Sequence, residues 1–179
     1  IRDVPVIGVI EPGAEAACLA SRSGHIAVIA TEGTVRGGAY QDAIVRRRID
    51  ARVSAVPAQL FVALAEEGLC RGPIADSVAR HYLERLFNRS ADASHPDTLV
   101  LGCTHFPMLA DTIRTTVGPD VTIVDSAETT ARYVRQTLES GNLAARSGDG
   151  GLRLLATDAA DRFARIGGRF LERPIGPHE

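Results

Sequence analysis

The chain has 179 residues, 45% of them hydrophobic, and a formal net charge of −2, which is ordinary for a globular protein that buries a core. It lacks the basic stripe that nucleic-acid-binding proteins carry, and it has no apolar run long enough to cross a bilayer. We therefore expect neither nucleic acid nor membrane as a partner. The first residues do not resemble a signal peptide, so a cytoplasmic location is expected.

The predicted elements alternate between strands and helices along the chain. Strands are predicted at residues 4–10, 25–30, 52–56, 98–101, 121–124 and 152–156. Helices are predicted at residues 14–20, 39–48, 58–67, 74–87, 108–117, 128–138 and 159–170. A turn at 11–13 and a polar loop at 31–38 separate the first elements, and residues 88–97 and 140–151 also have loop composition.

This alternation is typical of βαβ units, so the fold class is α/β with a mainly parallel sheet flanked by helices. In such sheets ligands bind outside the carboxyl ends of the strands. Segments 11–13, 31–38 and 102–107 follow predicted strands. We expect them to converge on one crevice.

The cysteines are odd in number and have no paired spacing, which fits a reducing compartment. Cys18, Cys70 and Cys103 have no second ligand at zinc-finger spacing, so no metal site is predicted. Cys18 reads as a core residue of a helix. Neither Cys18 nor Cys70 is assigned a role.

Segment 102–107, Gly-Cys-Thr-His-Phe-Pro, is the most informative part of the chain. Cys103 would lie near the start of the next helix, where partial positive charge and His105 would favour its thiolate form. Thr104 offers a hydroxyl and a backbone N–H that could hold a carboxylate. The alternative is a small core cysteine beside an ordinary loop histidine, because free cysteines are usually buried and inert.

Two threonines, Thr31 and Thr34, stand at the start of a predicted helix, where their hydroxyls could bind the carboxylate or amine of an amino acid. Simple N-capping of that helix is the alternative that spacing alone favours. The glycines of 31–38 fit neither a dinucleotide fingerprint nor a P-loop, so no nucleotide cofactor is predicted. Glu66 and Glu67 end a helix and, taken alone, read as a solvated face.

Three strings in this order resemble glutamate racemases, of the aspartate/glutamate racemase family. They are residues 4–13 (VPVIGVIEPG), residues 30–35 (ATEGTV) with Ala39 and Tyr40, and residues 99–107 (LVLGCTHFP). The last string is highly specific, and the resemblance spans nearly the whole chain.

The resemblance implies interconversion of L- and D-glutamate by two opposed thiols, without cofactor or metal, to supply D-glutamate for peptidoglycan. Cys103 matches the second catalytic cysteine and His105 a histidine that assists it. Thr31, Thr34 and Thr104 match substrate-binding threonines, and Glu66 matches an acidic residue thought to assist the histidine. A homodimer is implied for the full-length enzyme.

The chain departs from the family pattern where the family's first half is concerned. The Cys-Asn-Thr segment with the first catalytic cysteine has no counterpart here. In the family one domain is inserted in the other, so residues 11–124 would form a complete α/β domain. Residues 1–10 and 125–179 would be part of a second, similar domain. We therefore expect the chain alone to be inactive as a racemase.

Other functions stay open at this point. A racemase acting on aspartate or hydantoins is the nearest alternative, although such relatives usually lack the His-aromatic-Pro that follows Cys-Thr. A non-catalytic fragment could only bind, for example to DNA gyrase, against which the absence of a basic face speaks. Acyl transfer by a Cys–His pair would need an oxyanion-hole loop that the sequence does not offer.

Overall fold

The computed structural model describes residues 6–87, 95–145, 148 and 151–176. Its strands are β1 (His25–Ala30), β2 (Arg52–Pro57), β3 (Thr98–Leu101) and β4 (Thr122–Asp125). Its helices are α1 (Ile10–Ala20), α2 (Glu32–Gly37), α3 (Ala39–Arg47), α4 (Leu60–Glu67), α5 (Pro73–Phe87), α6 (Ala110–Val117), α7 (Ser126–Ser140) and α8 (Ala160–Phe170). A 3₁₀ turn over Phe106–Leu109 precedes α6.

The described strands form one parallel sheet in the order β2-β1-β3-β4. Every residue of β1 and β3 is buried, as expected for central strands covered by helices on both faces. In the register between them, Ile29 lies opposite Leu101. The α/β class and the parallel sheet predicted from the sequence are confirmed.

The core lies in two layers, one on each face of the sheet. Side chains of α4, α5 and α6 pack on one face against Ile29 and Leu101, with Phe61 and Phe106 among the largest fully buried residues. On the other face α1 and α3 pack against Ile26 and Val28. Alternate residues of β1 thus point to opposite layers, as the period of a strand requires.

Two predictions near the start of the chain are wrong. The strand at 4–10 falls partly outside the described residues, and residues 6–9 form no strand; Val6 is 86% exposed. The turn at 11–13 is the first part of α1, where Pro12 is tolerated because N–H groups of a first turn lack helical partners anyway. Gly13 allows a close approach: a Cβ there would lie 3.2 Å from Cε1 of Tyr40.

Two later predictions also fail. Segment 31–38 contains the short helix α2 instead of a loop throughout. Residues 152–156 form no strand, since they lie beside none of the described strands and expose Leu155 to 78%. The other predicted strands and helices are confirmed with boundaries shifted by up to four residues. Most of the predicted loop at 88–97 lies outside the described residues.

No helix in the described part of the chain is both long and apolar enough to span a membrane. The division into 11–124 and a remainder stays a prediction.

Candidate active site

The loops that follow β1 and β3 leave the sheet side by side. The backbone N–H of Gly102 donates to the carbonyl of Ile29 at 2.8 Å, which extends the pairing of the two strands by one step. A Cβ at Gly102 would lie 2.9 Å from Cε2 of Tyr40 and 3.1 Å from Cβ of Ala30, so only glycine fits without rearrangement. This close approach brings the Cys103 segment next to the start of the Thr31 segment.

Cys103 is partly buried against the core, and its Sγ lies 3.8 Å from Nδ1 of His105. Burial raises the pKa of the Cys103 thiol, and a hydrogen bond from the His105 backbone offsets this only in part. The predicted thiolate-favouring environment is therefore wrong in its net direction. The 3₁₀ turn separates the thiol from α6, whose partial charge falls off within one turn.

His105 is held on its other side by Glu66. Its Nε2 lies 3.4 Å from Oε1 of Glu66, and the two side chains are 23% and 25% exposed. A hydrogen bond from Arg162 is the main reason that the pKa of Glu66 is lowered, and His105 contributes to the same shift. Glu66 is thus an oriented carboxylate rather than part of a solvated face, whereas the neighbouring Glu67 is exposed.

The helix α8 supplies contacts that the sequence did not predict. Arg162 Nη2 donates to Oε2 of Glu66 at 2.5 Å, and Arg169 donates to the Glu66 carbonyl. The Phe170 ring meets the His105 ring edge-on, with centroids 5.2 Å apart. Arg162 is 96 residues from Glu66, so no local spacing could have indicated this contact.

The threonines of the β1 segment contact each other. Thr31 Oγ1 lies 3.0 Å from Oγ1 of Thr34, and both residues are partly buried. Thr31 does occupy the N-cap position of α2, but its hydroxyl does not cap the backbone there. The N-capping alternative is therefore wrong for the side chain, and the paired hydroxyls retain hydrogen-bonding capacity for a ligand.

Thr104 is exposed and lies between two cavities. One is an open cavity of about 440 Å³, lined by Glu66, Thr104 and His105 on one side and by residues of α8 on the other. The second, of about 630 Å³, has Cys70, Arg71 and Arg169 in its wall. Cys103, Thr31 and Thr34 lie outside the lining of both cavities. The structure thus joins Cys103, His105 and Glu66 in one chain of contacts, with Thr104 beside it.

The other two cysteines lie on opposite faces of the sheet. Cys18 donates to the carbonyl of Ile44 at 3.7 Å on the α1–α3 side. Cys70 packs against the same core layer as Cys103 and lines the second cavity with Thr104. Burial raises the pKa of both thiols. Among the described residues, no three His, Cys, Asp or Glu side chains are grouped so that they could hold a metal ion.

A thiol and an imidazole at the end of a parallel strand, linked to a carboxylate on a neighbouring helix, are suited to acid–base chemistry on a small molecule. Residues 1–134 match the Asp/Glu/Hydantoin racemase family, and the chain belongs to that family.

The individual proteins that the chain resembles are glutamate racemases. The chain is 45% identical over 174 residues to a glutamate racemase of Geobacter metallireducens, covering 97% of this chain and 63% of that protein. Two solved structures are similar. A glutamate racemase isoform from Bacillus anthracis has a TM-score of 0.88 at 32% identity, over 97% of this chain and 64% of that one. The enzyme from Francisella tularensis, in complex with D-glutamate, has a TM-score of 0.85 at 28% identity, over 98% and 63%.

The chain therefore spans less than two thirds of the length of these relatives.

Proposed function

We propose that this chain carries one of the two catalytic thiols of a glutamate racemase, and that Cys103 is that thiol. The contact between Cys103 Sγ and His105 Nδ1 at the end of β3 is the observation that carries the proposal. Similarity to glutamate racemases over nearly the whole chain, including one solved with D-glutamate, supports the choice of substrate.

The α-proton of an amino acid is very weakly acidic, so its removal needs a well-placed base and stabilisation of the developing carbanion. In one direction the Cys103 thiolate accepts the α-proton and forms an S–H bond, while a second thiol donates its proton to the opposite face. In the other direction the roles reverse. In each turnover one proton leaves the α-carbon and one is returned to it, and no cofactor takes part.

His105 would help Cys103 to reach the thiolate form. Because burial raises the pKa of this thiol, a nearby proton acceptor is needed, and Nδ1 of His105 lies within contact distance. Glu66 holds the opposite ring nitrogen, which fixes the ring and stabilises an imidazolium. In this proposal Cys103 exchanges protons with substrate, and His105 and Glu66 assist it.

The hydroxyls of Thr31, Thr34 and Thr104 are proposed to bind the charged ends of glutamate. Two of them already face each other at 3.0 Å, and the third is exposed beside His105. Hydroxyl and backbone donors at the carboxylate would stabilise the charge that develops when the α-proton leaves.

The wider assignments belong to the same proposal. Residues 11–124 form the domain that carries the second thiol, and residues 1–10 and 125–179 form part of the other domain. The whole enzyme is a cytoplasmic homodimer that supplies D-glutamate for peptidoglycan.

The first test uses the 179-residue chain and follows deuterium exchange at the α-carbon of L- and D-glutamate. We expect no racemisation, because neither Cys18 nor Cys70 is followed by the Asn-Thr that accompanies the family's first catalytic cysteine. Racemisation at a normal enzymic rate would contradict the two-thiol assignment. Exchange that is faster with aspartate than with glutamate would overturn the choice of substrate.

The second test is Cys103→Ser in the intact enzyme. Racemisation should fall by about 10²–10⁴-fold, as expected for loss of a positioned acid or base, while the circular dichroism spectrum stays unchanged. Cys18→Ser is the matched control and should keep its activity. Unchanged turnover of the Cys103→Ser enzyme would show that the assignment is wrong.

A further inference from the structure

We propose that Arg162, on α8, is a positioning residue for the Cys103 thiol: it holds one oxygen of Glu66 so that the other fixes His105 against the sulfur. The inference rests on the proposed function and adds to it a residue outside the strand-end loops. It makes the C-terminal helix part of the machinery that prepares the thiol.

The contacts form one continuous chain. Cys103 Sγ lies 3.8 Å from Nδ1 of His105, and Nε2 of His105 lies 3.4 Å from Oε1 of Glu66. Oε2 of Glu66 accepts a hydrogen bond from Arg162 at 2.5 Å. Each oxygen of the carboxylate thus has its own partner. A carboxylate held at both oxygens cannot rotate freely, so the ring that it contacts is held as well.

Glu66 needs a cation from elsewhere because of its place in α4. It lies in the last turn, where the helix dipole disfavours a carboxylate, and that turn contains no basic residue. Arg162 contacts its side chain and Arg169 its backbone carbonyl. Two arginines of α8 therefore neutralise a helix end that the local sequence leaves negative.

The same helix also contacts the imidazole directly. Phe170 packs edge-on against His105, with ring centroids 5.2 Å apart. Phe170 limits how far the ring can tilt, whereas Arg162 fixes the group that holds the ring nitrogen. Of the α8 side chains, Arg162 is thus the one that reaches His105 through an ionised group.

Loss of Arg162 should loosen Glu66, free the His105 ring and leave Cys103 without an aligned proton acceptor. Without that acceptor the thiolate fraction falls, and the thiolate is the form that reacts with alkylating reagents.

The test measures the rate at which iodoacetamide alkylates Cys103 in the full 179-residue chain, at one mildly alkaline pH. The tryptic peptide of residues 90–114 contains Cys103 alone, so mass spectrometry separates it from Cys18 and Cys70. We expect Arg162→Gln to slow this reaction by about three- to tenfold, in the lower part of the range of coupling seen between contacting residues. Arg165→Gln removes the same charge from the same helix and should leave the rate unchanged.

A double-mutant cycle shows whether Arg162 acts through Glu66. Glu66→Gln alone should slow alkylation to a similar degree, and adding Arg162→Gln should then have no further effect. An equal slowing in both backgrounds, or no difference between Arg162→Gln and Arg165→Gln, would overturn the proposal.

Arg162→Lys is the control for a folding defect, because the lysine ammonium group can also donate a hydrogen bond to Oε2 of Glu66. It should restore at least half of the wild-type rate, with Cys18 alkylation unchanged as an internal reference; a rate as low as that of Arg162→Gln would count against the proposal. No substrate is used, so an absence of racemase activity would leave this result intact. If the enzyme racemises glutamate but Arg162→Gln does not change the rate of Cys103 alkylation, the proposed function stands and only the role of Arg162 is refuted.

Discussion

The two regions that build the site are held in the protein by different forces. The strands β1 and β3 are buried at every residue and carry the Cys103 segment at their ends. In α8 every residue is at least partly exposed, and the helix reaches the site through Arg162, Arg169 and Phe170. Cys103 therefore follows a strand that is buried at every residue, whereas its neighbours His105 and Glu66 are contacted by a helix that lies at the surface.

This difference separates two kinds of mutational effect. Changes behind the strand ends should cost folding free energy, since close-packed interiors respond to the loss of a few atoms. Changes in α8 should alter the chemistry of Cys103 and cost less folding free energy, since exposed polar contacts contribute little to it.

The largest expected effect is that of Phe106→Ala. Phe106 lies in segment 102–107 with Cys103, is fully buried and packs edge-on against Phe61, with ring centroids 5.4 Å apart. Its truncation should lower the free energy of unfolding by about 3–5 kcal/mol, measured by urea denaturation.

Phe163→Ala makes the same truncation on α8, where the side chain is 38% exposed. Its cost should be about 1–2 kcal/mol, because more than a third of this residue is already exposed to water. Equal losses in the free energy of unfolding for Phe106→Ala and Phe163→Ala would contradict the proposed difference between the strand ends and α8.

An effect smaller than that of Phe106→Ala is expected at Asp97, at the amino end of β3. Its carboxylate accepts hydrogen bonds from Ser21 Oγ at 2.6 Å and from the backbone N–H of Ser23 at 2.7 Å. Burial by itself would raise the pKa of Asp97, but these bonds outweigh it and lower the pKa to about 2. Asp97→Asn should therefore cost about 1–2 kcal/mol at neutral pH, after allowance for solvent screening.

The pH dependence has a definite sign. The folded-state pKa lies below the unfolded value of about 3.9, so the contribution is complete above that value. It is lost as the pH falls from about 4 to about 2, where both states become protonated. The Asp97→Asn variant should lack this part of the acid limb, and unfolding titrations at several pH values would reveal it. An unchanged acid limb would mean that Asp97 is not the group responsible.

The smallest effect on stability is expected for Arg162→Gln. The Arg162 side chain is 62% exposed, so its ion pair with Glu66 should contribute less than about 1 kcal/mol. Paired with the slower alkylation of Cys103, this result would separate positioning from folding. A loss as large as that of Phe106→Ala would place α8 in the folding core and refute the comparison.

Several features followed from the sequence because they depend on local patterns. Apolar runs such as residues 98–101 predicted the central strands, and the Gly-Cys-Thr-His string predicted the candidate thiol and its partner. The two wrong strand predictions have a common cause. Residues 6–9 and 152–156 have apolar residues suited to strands, but the described sheet gives them no neighbour with which to pair. The composition of a segment indicates which secondary structure it favours, but it does not indicate whether a neighbouring strand is available for pairing.

The sequence by itself determined the α/β alternation, the family and the chemical identity of Cys103, His105 and the threonines, because these depend on residue types at short spacings. Tertiary structure decided the protonation tendency of Cys103, which burial shifts against the thiolate. It also decided the partners of Glu66, which come from a helix nearly a hundred residues away. Both are set by which surfaces meet in space, and that depends on the packing of the whole chain.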